Sequence, residues 1–342
     1  MEKKYIAFLY NIRHKYPKLN DARTQLETDF DDPETIMIII KHLKGCGFRV
    51  LPIEANRKAY LKLYRNRNKI LLAFNYSEGI YGSDRESHIP SMLEMLQIPY
   101  TGSTPLTQAL VLNKAKAKEI LSANNIPVLP HQLFKNNKEK LNKNLKFPLI
   151  VKPVAQGSSS GITNKSVVFN KKQLRRQISF IIETFNQEAL VESYLSGREF
   201  SVAMLGNPPK ILPIIESCHK LLPKGYFHID SLEVKWLFEE ESEFNHLICP
   251  AKISKKFKRK IEKICYDVWK ALNVRDWCRI DMRCDRKNNP YVLEVNSPPG
   301  IIPPEVSNMS YFPLAARAAG MSYKKLLRKI INLAFKRYGI KK

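Results

Sequence analysis

The sequence predicts an α/β protein, with an N-terminal parallel α/β unit followed by a larger α+β region. Three observations carry this reading. Strand-length apolar runs alternate with helical patterns over the first hundred residues, as a parallel sheet requires. A Gly/Ser-rich loop, Gln156-Gly-Ser-Ser-Ser-Gly161, separates two further apolar runs. Near the C-terminus, Cys278 to Cys284 and Tyr291 to Val295 flank the turn-forming cluster Asp285-Arg-Lys-Asn-Asn-Pro290, a β-hairpin pattern.

The first strand is expected over Tyr5 to Tyr10. Asp31-Asp32-Pro33-Glu34 starts a helix, with Asp as the cap, Pro at the first position and an acid in the first turn. That helix runs to Lys44 and stops at Gly45-Cys-Gly47. Phe48 to Ile53 is a second strand, Lys58 to Tyr64 a short helix, and Ile70 to Asn75 a third strand. The loop from Asn75 to Glu86 then lies at the carboxyl end of a strand, where α/β sheets bind ligands. Pro90 to Gln97 reads as a helix, and Thr104-Pro105 starts a long one through about Ser122, whose Lys114, Lys116 and Lys118 could all face solvent.

Phe147 to Pro153 is a buried strand carrying Lys152 just before the Gly/Ser loop, and Val167 to Phe169 follows it. Such a loop can wrap backbone N–H groups and hydroxyls around phosphates. It is not a Walker A loop, because the lysine precedes the glycines. A helix over Lys172 to Phe185 leads to two strands, Ala189 to Leu195 and Arg198 to Leu205, joined by Ser196-Gly197. Glu192 and Glu199 sit among apolar residues there and need partners. After a strand over Lys210 to Glu216, Leu221 to Glu243 is long and poorly periodic, the pattern of a lid rather than a linker. Helices over Ser254 to Leu272 and Tyr323 to Tyr338 bracket the hairpin.

A hairpin centred between Lys287 and Asn288 puts Asp281 opposite Glu294 and Arg279 opposite Asn296. The period of two along a strand then projects all four side chains from one face. Facing carboxylates destabilise a sheet. A hard divalent cation removes that objection and leaves sites open for phosphate oxygens. The Pro-Pro-Gly300 turn directly after Asn296 frees N–H groups beside it.

At 342 residues the chain can form two or three modest domains with real cores. No apolar run approaches a membrane span, and Tyr5 to Tyr10 is too short for a signal-peptide core, so a cytoplasmic protein is expected. Six cysteines without a C-x-x-C support neither a disulfide framework nor a zinc site. A net charge of +25 raises nucleic acid or another anionic surface as a partner. The excess is spread along the chain, and its densest run, Lys255 to Lys260, reads as the solvated face of an amphipathic helix. Polyphosphate-bearing substrates suit the same charge.

These residues resemble the ATP-grasp superfamily, most closely its D-alanine–D-alanine ligase branch, from about Ile70 to Leu327. The markers are Ile-Pro-Tyr-Thr-Gly-Ser103, Asn113-Lys114, Val-Lys-Pro153 with Gly-Ser-Ser159, Val-Glu-Ser-Tyr-Leu-Ser-Gly-Arg-Glu199, Arg279-Ile-Asp281, Leu-Glu-Val-Asn296 with Pro-Gly300, and Ala315-Ala-Arg-Ala-Ala-Gly320. The resemblance implies a pre-ATP-grasp substrate-binding domain over 1–104. A small ATP-grasp subdomain with the flap follows over 105–188, and a large subdomain with the metal site over 189–342. It implies that Lys114 and Lys152 contact ATP phosphates under Ser158 of the flap, with Glu192 on the adenine side and Glu199 on the ribose hydroxyls. Asp281, Glu294 and Asn296 would hold Mg²⁺ or Mn²⁺, as two ions. Arg279 and the Gly300 backbone would surround the acyl centre, with Lys235 near the γ-phosphate.

The family's Gly-rich loop with a Ser and a Glu after the first strand is replaced here by Tyr10-Asn-Ile-Arg-His-Lys, and its His-Gly and Gly-Glu-Asp-Gly run is missing after the third. Glu78, Arg85 and Glu86 are the substrate-contact candidates in the second of these loops, and an insertion is expected over Ile301 to Asn308. The implied activity is ATP-dependent carboxylate–amine ligation, in its simplest form D-alanine–D-alanine ligation for peptidoglycan precursors. A ligase for another amino acid or a peptide is the second reading. A non-catalytic, basic nucleic-acid-binding protein on the same fold is the third, and the intact Lys152, Asp281, Glu294 and Asn296 set speaks against it. The resemblance makes a homodimer plausible.

Overall fold

The structure, a computed structural model, describes residues 4–18, 21–238 and 246–341. Strand β1 (Tyr5–Tyr10), helix α1 (Pro33–Gly45), strand β2 (Arg49–Glu54), helix α2 (Ala59–Asn66) and strand β3 (Ile70–Asn75) form a parallel three-stranded sheet in the order β2-β1-β3. These elements stand within a residue or two of their expected positions. Asp32 sits at the N-cap of α1 but its side chain makes no cap bond, being drawn instead to Arg13 (3.3 Å) and Tyr16 (2.7 Å).

Helix α3 (His88–Met95) starts two residues before the expected Pro90. The long helix expected from Pro105 is broken into α4 (Pro105–Leu112) and α5 (Lys114–Ala123). Asn113 has an extended backbone (φ −81°, ψ 93°) and caps α5 through Lys116 N–H (3.0 Å), while Lys114 N–H donates to Val154 O (3.0 Å). A tertiary contact thus overrides good helix propensity and aims Lys114 at Glu294.

A strand with no counterpart in the sequence reading, β4 (His131–Phe134), joins β5 (Leu149–Pro153), β6 (Val167–Val168) and, after α6 (Lys171–Phe185), β7 (Ala189–Ser193) in a sheet ordered β4-β7-β5-β6. The Gly/Ser loop is the connection between the antiparallel β5 and β6. Next, β8 (Glu199–Gly206) leaves that sheet for another. Gly197 makes the crossing possible, because a Cβ there would collide with the Cys284 and Asp285 carbonyls.

The strand expected over Lys210 to Glu216 is two short ones, β9 (Pro209–Ile211) and β10 (Ile215–Ser217), both paired to β8. With β11 (Leu247–Ile248), and after helix α7 (Lys255–Ala271), β12 (Trp277–Cys284) and β13 (Pro290–Asn296), they form a sheet ordered β11-β10-β8-β12-β13 with β9 beside β8. The lid segment holds Val234–Phe238 as a turn of π-helix, and its expected stretch beyond 238 lies outside the described residues until 246. Helices α8 (Tyr311–Ala318), also absent from the sequence reading, and α9 (Tyr323–Arg337) end the fold.

One core ties the two ends of the chain together. Phe8, Phe74, Trp277 and Phe312 form a ring chain with centroids 5.9, 6.2 and 5.3 Å apart, between α1 and α9. Below it, buried Asp276 accepts from Gly102 N–H (2.7 Å) and pairs with Arg337 (2.7 Å). Trp277→Ala removes the middle of the ring chain and is expected to cost about 3–5 kcal/mol, read as a lower urea midpoint. An unchanged midpoint would show that this contact does not join the two sheets.

Candidate active site

The site is built on the hairpin. Asp281 pairs with Glu294 and Arg279 with Asn296, the register expected from the alternation. A bulge between Asp281 and Met282 shifts the pairing by one toward the turn, so only the half that carries the four polar residues keeps the simple register. Asp281 accepts from Ser201 Oγ (2.6 Å) on β8, from Arg279 Nε and Nη2 (2.9 and 2.8 Å), and from Asn296 Nδ2 (3.0 Å). Glu294 pairs with Lys114 at 3.3 Å. Burial pushes Glu294 up, but the ammonium groups of Lys114 and Lys152, with Arg279, outweigh it and hold its carboxyl at about 2.

Two carboxylates facing each other beside an amide form an all-oxygen donor set, which suits Mg²⁺ or Mn²⁺ rather than zinc. Among the described residues, no three His, Cys, Asp or Glu side chains are grouped for a metal, and a third oxygen at this face would have to be the Asn296 amide. Arg279 and Lys114 balance the two acids.

Lys152 and Glu192 face the same cleft from the four-stranded sheet. Glu192 is fully buried between Lys152 and Lys118, whose Nζ lies 3.0 Å from Glu192 and 3.1 Å from Val292 O. Lys114 and Lys118 are therefore buried, and only Lys116 faces solvent, paired with Glu119. Burial opposes the charged form of Glu192, yet the two lysines hold it at about 2. Burial likewise disfavours the Lys152 ammonium, but Glu192 and Glu294 more than offset this and keep it above the usual lysine value. A carboxyl depressed in the folded state contributes stability above its unfolded value of about 4.5 that is lost as pH falls toward 2. The urea midpoint should therefore fall over this range, and more shallowly in Glu192→Gln. Equal slopes in both proteins would remove Glu192 from the acid-sensitive groups.

Glu199 pairs with Arg283 on the neighbouring strand, and burial pushes its carboxyl up against that pairing. The loop above is held in a strained form, with Ser158 and Ser159 at φ 44° and 61°. It is tied to the lid: Ser159 Oγ donates to Asp230 O (2.5 Å), Leu232 N–H to Ile162 O (2.8 Å) and Asn164 N–H to Glu233 (3.1 Å). Lys235, on the π-helical turn, lines the cleft beside Glu294 and Arg279.

A second chamber of about 520 Å³ adjoins the cleft, sharing Gln156, Ser158, Lys235, Arg279 and Glu294 with it. Glu78, Glu86 and Gly300 line this chamber. Arg85 does not. Its guanidinium turns away to Ala155 O (2.6 Å) and Asp29 (3.1 Å), which corrects its expected substrate role. Burial raises Asp31 to about 6 and Glu86 to about 7, and pushes Glu78 well up.

Several site residues escaped the sequence reading. Asp31 and Asp32 were legible only as a helix start, yet both line the chamber. Arg13 lies 4.6 Å above the Trp236 ring. Asp230 accepts from Tyr311 OH (2.8 Å) and pairs with His219 (2.6 Å), and the Tyr311 ring lies 5.0 Å from the Arg279 guanidinium. The segment expected as an insertion packs inward at its start, with Ile301 buried and its carbonyl accepting from Tyr323 OH (2.6 Å), and turns outward at Glu305, Val306 and Asn308.

The family described as D-ala D-ala ligase C-terminus matches residues 116–332, which run from within α5 to within α9 and include the whole hairpin. The chain is 34% identical over 267 residues to a D-alanine–D-alanine ligase of Buchnera aphidicola, covering 75% of this chain and 79% of that one. This chain belongs to the D-alanine–D-alanine ligase family. It is also 34% identical over 307 residues, 88% of this chain and 87% of the relative, to the uncharacterized protein y4sG of Sinorhizobium fredii. A D-alanine–D-alanine ligase of Bacillus anthracis, solved in complex with ATP, superposes with a TM-score of 0.71 at 25% identity, covering 98% of this chain and 99% of that one. The architecture is thus the ATP-grasp fold of that family. The chamber residues Arg13, Asp29, Asp31, Glu78 and Glu86 all precede the matched segment. No helix among the described residues is long and apolar enough to cross a membrane.

Proposed function

We propose that this chain is an ATP-dependent, ADP-forming carboxylate–amine ligase, in its simplest form one that joins two D-alanines for peptidoglycan precursors. The observation that carries this reading is the single face of Arg279, Asp281, Glu294 and Asn296, set against Lys114 and Lys152 where cleft and chamber meet. A carboxylate is a poor acyl donor. Its oxygen attacks the γ-phosphorus of ATP, giving an acyl phosphate and ADP. The second substrate's amine then attacks the acyl carbon, loses a proton and expels phosphate.

Each residue has a place in that sequence. Lys114, Lys152 and Lys235 neutralise phosphate oxygens, and Ser158 covers them. Glu199 accepts from the ribose hydroxyls and Glu192, between its two lysines, bounds the adenine side. Arg279 and the Gly300 backbone face the acyl oxygen as negative charge develops on it. Mg²⁺ or Mn²⁺, as a pair of ions at Asp281, Glu294 and Asn296, would supply further charge neutralisation on the phosphates. The joined loop and lid exclude the water that would hydrolyse the acyl phosphate. We place the enzyme in the cytoplasm, as a homodimer acting on small amino-acid substrates.

A second reading, a ligase for another amino acid or a peptide, is favoured by one observation. Beyond Asp29 and Asp32, which are paired with Arg85 and Arg13, the chamber carries Asp31, Glu78 and Glu86, more acid than a single ammonium needs. Phosphate release from ATP and Mg²⁺ across single and paired amino acids, with products weighed by mass spectrometry, separates the two. D-alanine-dependent release with D-alanyl-D-alanine formed supports the first. Release only with another amino acid or a peptide replaces it with the second, and no release with any substrate sinks both.

A further inference from the structure

The Gly/Ser loop is held from two sides. Its contacts with the lid belong to the cleft described above. Those on its other side come from the N-terminal unit. Gly157 N–H donates to Asp29 (3.2 Å), and Asp29 is paired in turn with Arg85 (3.1 Å). Arg85 also donates to Ala155 O (2.6 Å), at the base of the same loop. Four residues upstream, the Gln25 side chain accepts from Gly161 N–H (3.1 Å) and its carbonyl from Ser160 Oγ (2.9 Å). The approach is close enough that a Cβ built on Gly157 would collide with the Asp29 carboxylate. The Asp29 and Arg85 side chains are about nine-tenths buried, so the pair is shielded from solvent.

We propose that Asp29 and Arg85 are positioning residues for the ligation reaction, anchoring the phosphate-covering loop to the amino-acid chamber. The inference rests on the ligase reading for its consequence, though not for its geometry. Asp29 lines the chamber with one face and takes the Gly157 N–H with its carboxylate. The loop over the nucleotide is therefore fixed by a residue that also borders the amino-acid substrate. Arg85 keeps that carboxylate aimed at the loop while tying down the Ala155 end. Ser158, between the two anchored ends, is held over the phosphates in its left-handed conformation.

The test is hydrogen exchange of residues 156–162 in the full-length protein, with and without ATP and Mg²⁺, for wild type, Asp29→Asn and Arg85→Gln. Losing one charge-assisted hydrogen bond should speed exchange in this loop roughly ten- to a hundred-fold, with the three sheets unchanged. In the turnover assay KM for ATP should rise, and Arg85→Lys should recover part of the loss. Loop exchange unchanged in both variants overturns the proposal. So does faster exchange spread evenly over all three sheets, which would mean a general structural role. If wild type turns over no amino acid while loop exchange still responds, the anchor stands and the ligase reading falls.

Discussion

Glu294→Gln is expected to lower kcat by about 10³-fold or more while leaving the fold intact, an effect of the size seen when charge stabilisation of a transition state is removed. Glu294 faces Asp281 across the hairpin and pairs with Lys114. Glutamine has nearly the same volume and can still form hydrogen bonds. It cannot supply the second negative charge that a divalent cation needs, nor hold the Lys114 ammonium by charge. Phosphate release and dipeptide formation should both disappear, with a native circular-dichroism spectrum and a lowered urea midpoint, because the depressed Glu294 carboxyl stabilises the fold at neutral pH and the substitution leaves buried Lys114 without its partner. Near-normal turnover with that same spectrum would remove Glu294 from the site and, with it, the hairpin face as the seat of the chemistry.

The hairpin could be read from the sequence because its geometry follows from two local rules, strand alternation and a turn-forming cluster. The bulge after Asp281 could not, since nothing in the local pattern marks which residue goes unpaired. Lys118 was misread although a signal existed: Lys114 and Lys118 are four apart and share a helix face, opposite Lys116. Both turn inward, and their partners Glu294 and Glu192 were already marked as acids in need of cations. Arg85 and Asp29 were beyond reach, because their partners lie 70 and 128 residues away on a loop whose docking depends on the whole fold. The break at Asn113 was hidden for the same reason, with a strand end some forty residues downstream supplying the contact that stops the helix. Local chemistry marked the hairpin face and the acids beside it, and tertiary packing decided which distant side chains meet them.

That division matters for specificity. The cleft holding Lys152, Glu192 and Glu199 falls in the segment that matches the family, whereas the N-terminal loops line the chamber with residues outside it. Arg13 sets a guanidinium over the Trp236 ring, next to Lys235 on the lid. We propose that any change of substrate is written in the chamber, where burial raises Asp31 to about 6 and Glu86 to about 7, and not in the residues proposed to hold the phosphates.

Arg279→Lys tests the proposed acyl-centre role of Arg279 apart from the proposed phosphate role of its neighbours. Arg279 makes two hydrogen bonds to Asp281 and lies over the Tyr311 ring, whose hydroxyl donates to Asp230. Lysine keeps the charge but loses the planar fork and the stacking surface, so the cation is no longer fixed where the oxyanion forms. We expect kcat to fall by about 10²-fold with KM for ATP within a few-fold of wild type, the pattern of an interaction made in the transition state. Arg279→Ala should lose more, because it also leaves Asp281 without its strongest partner. If KM for ATP rises instead while kcat is kept, Arg279 binds the nucleotide in the ground state. The developing oxyanion must then be met by the Gly300 backbone without a fixed cation beside it.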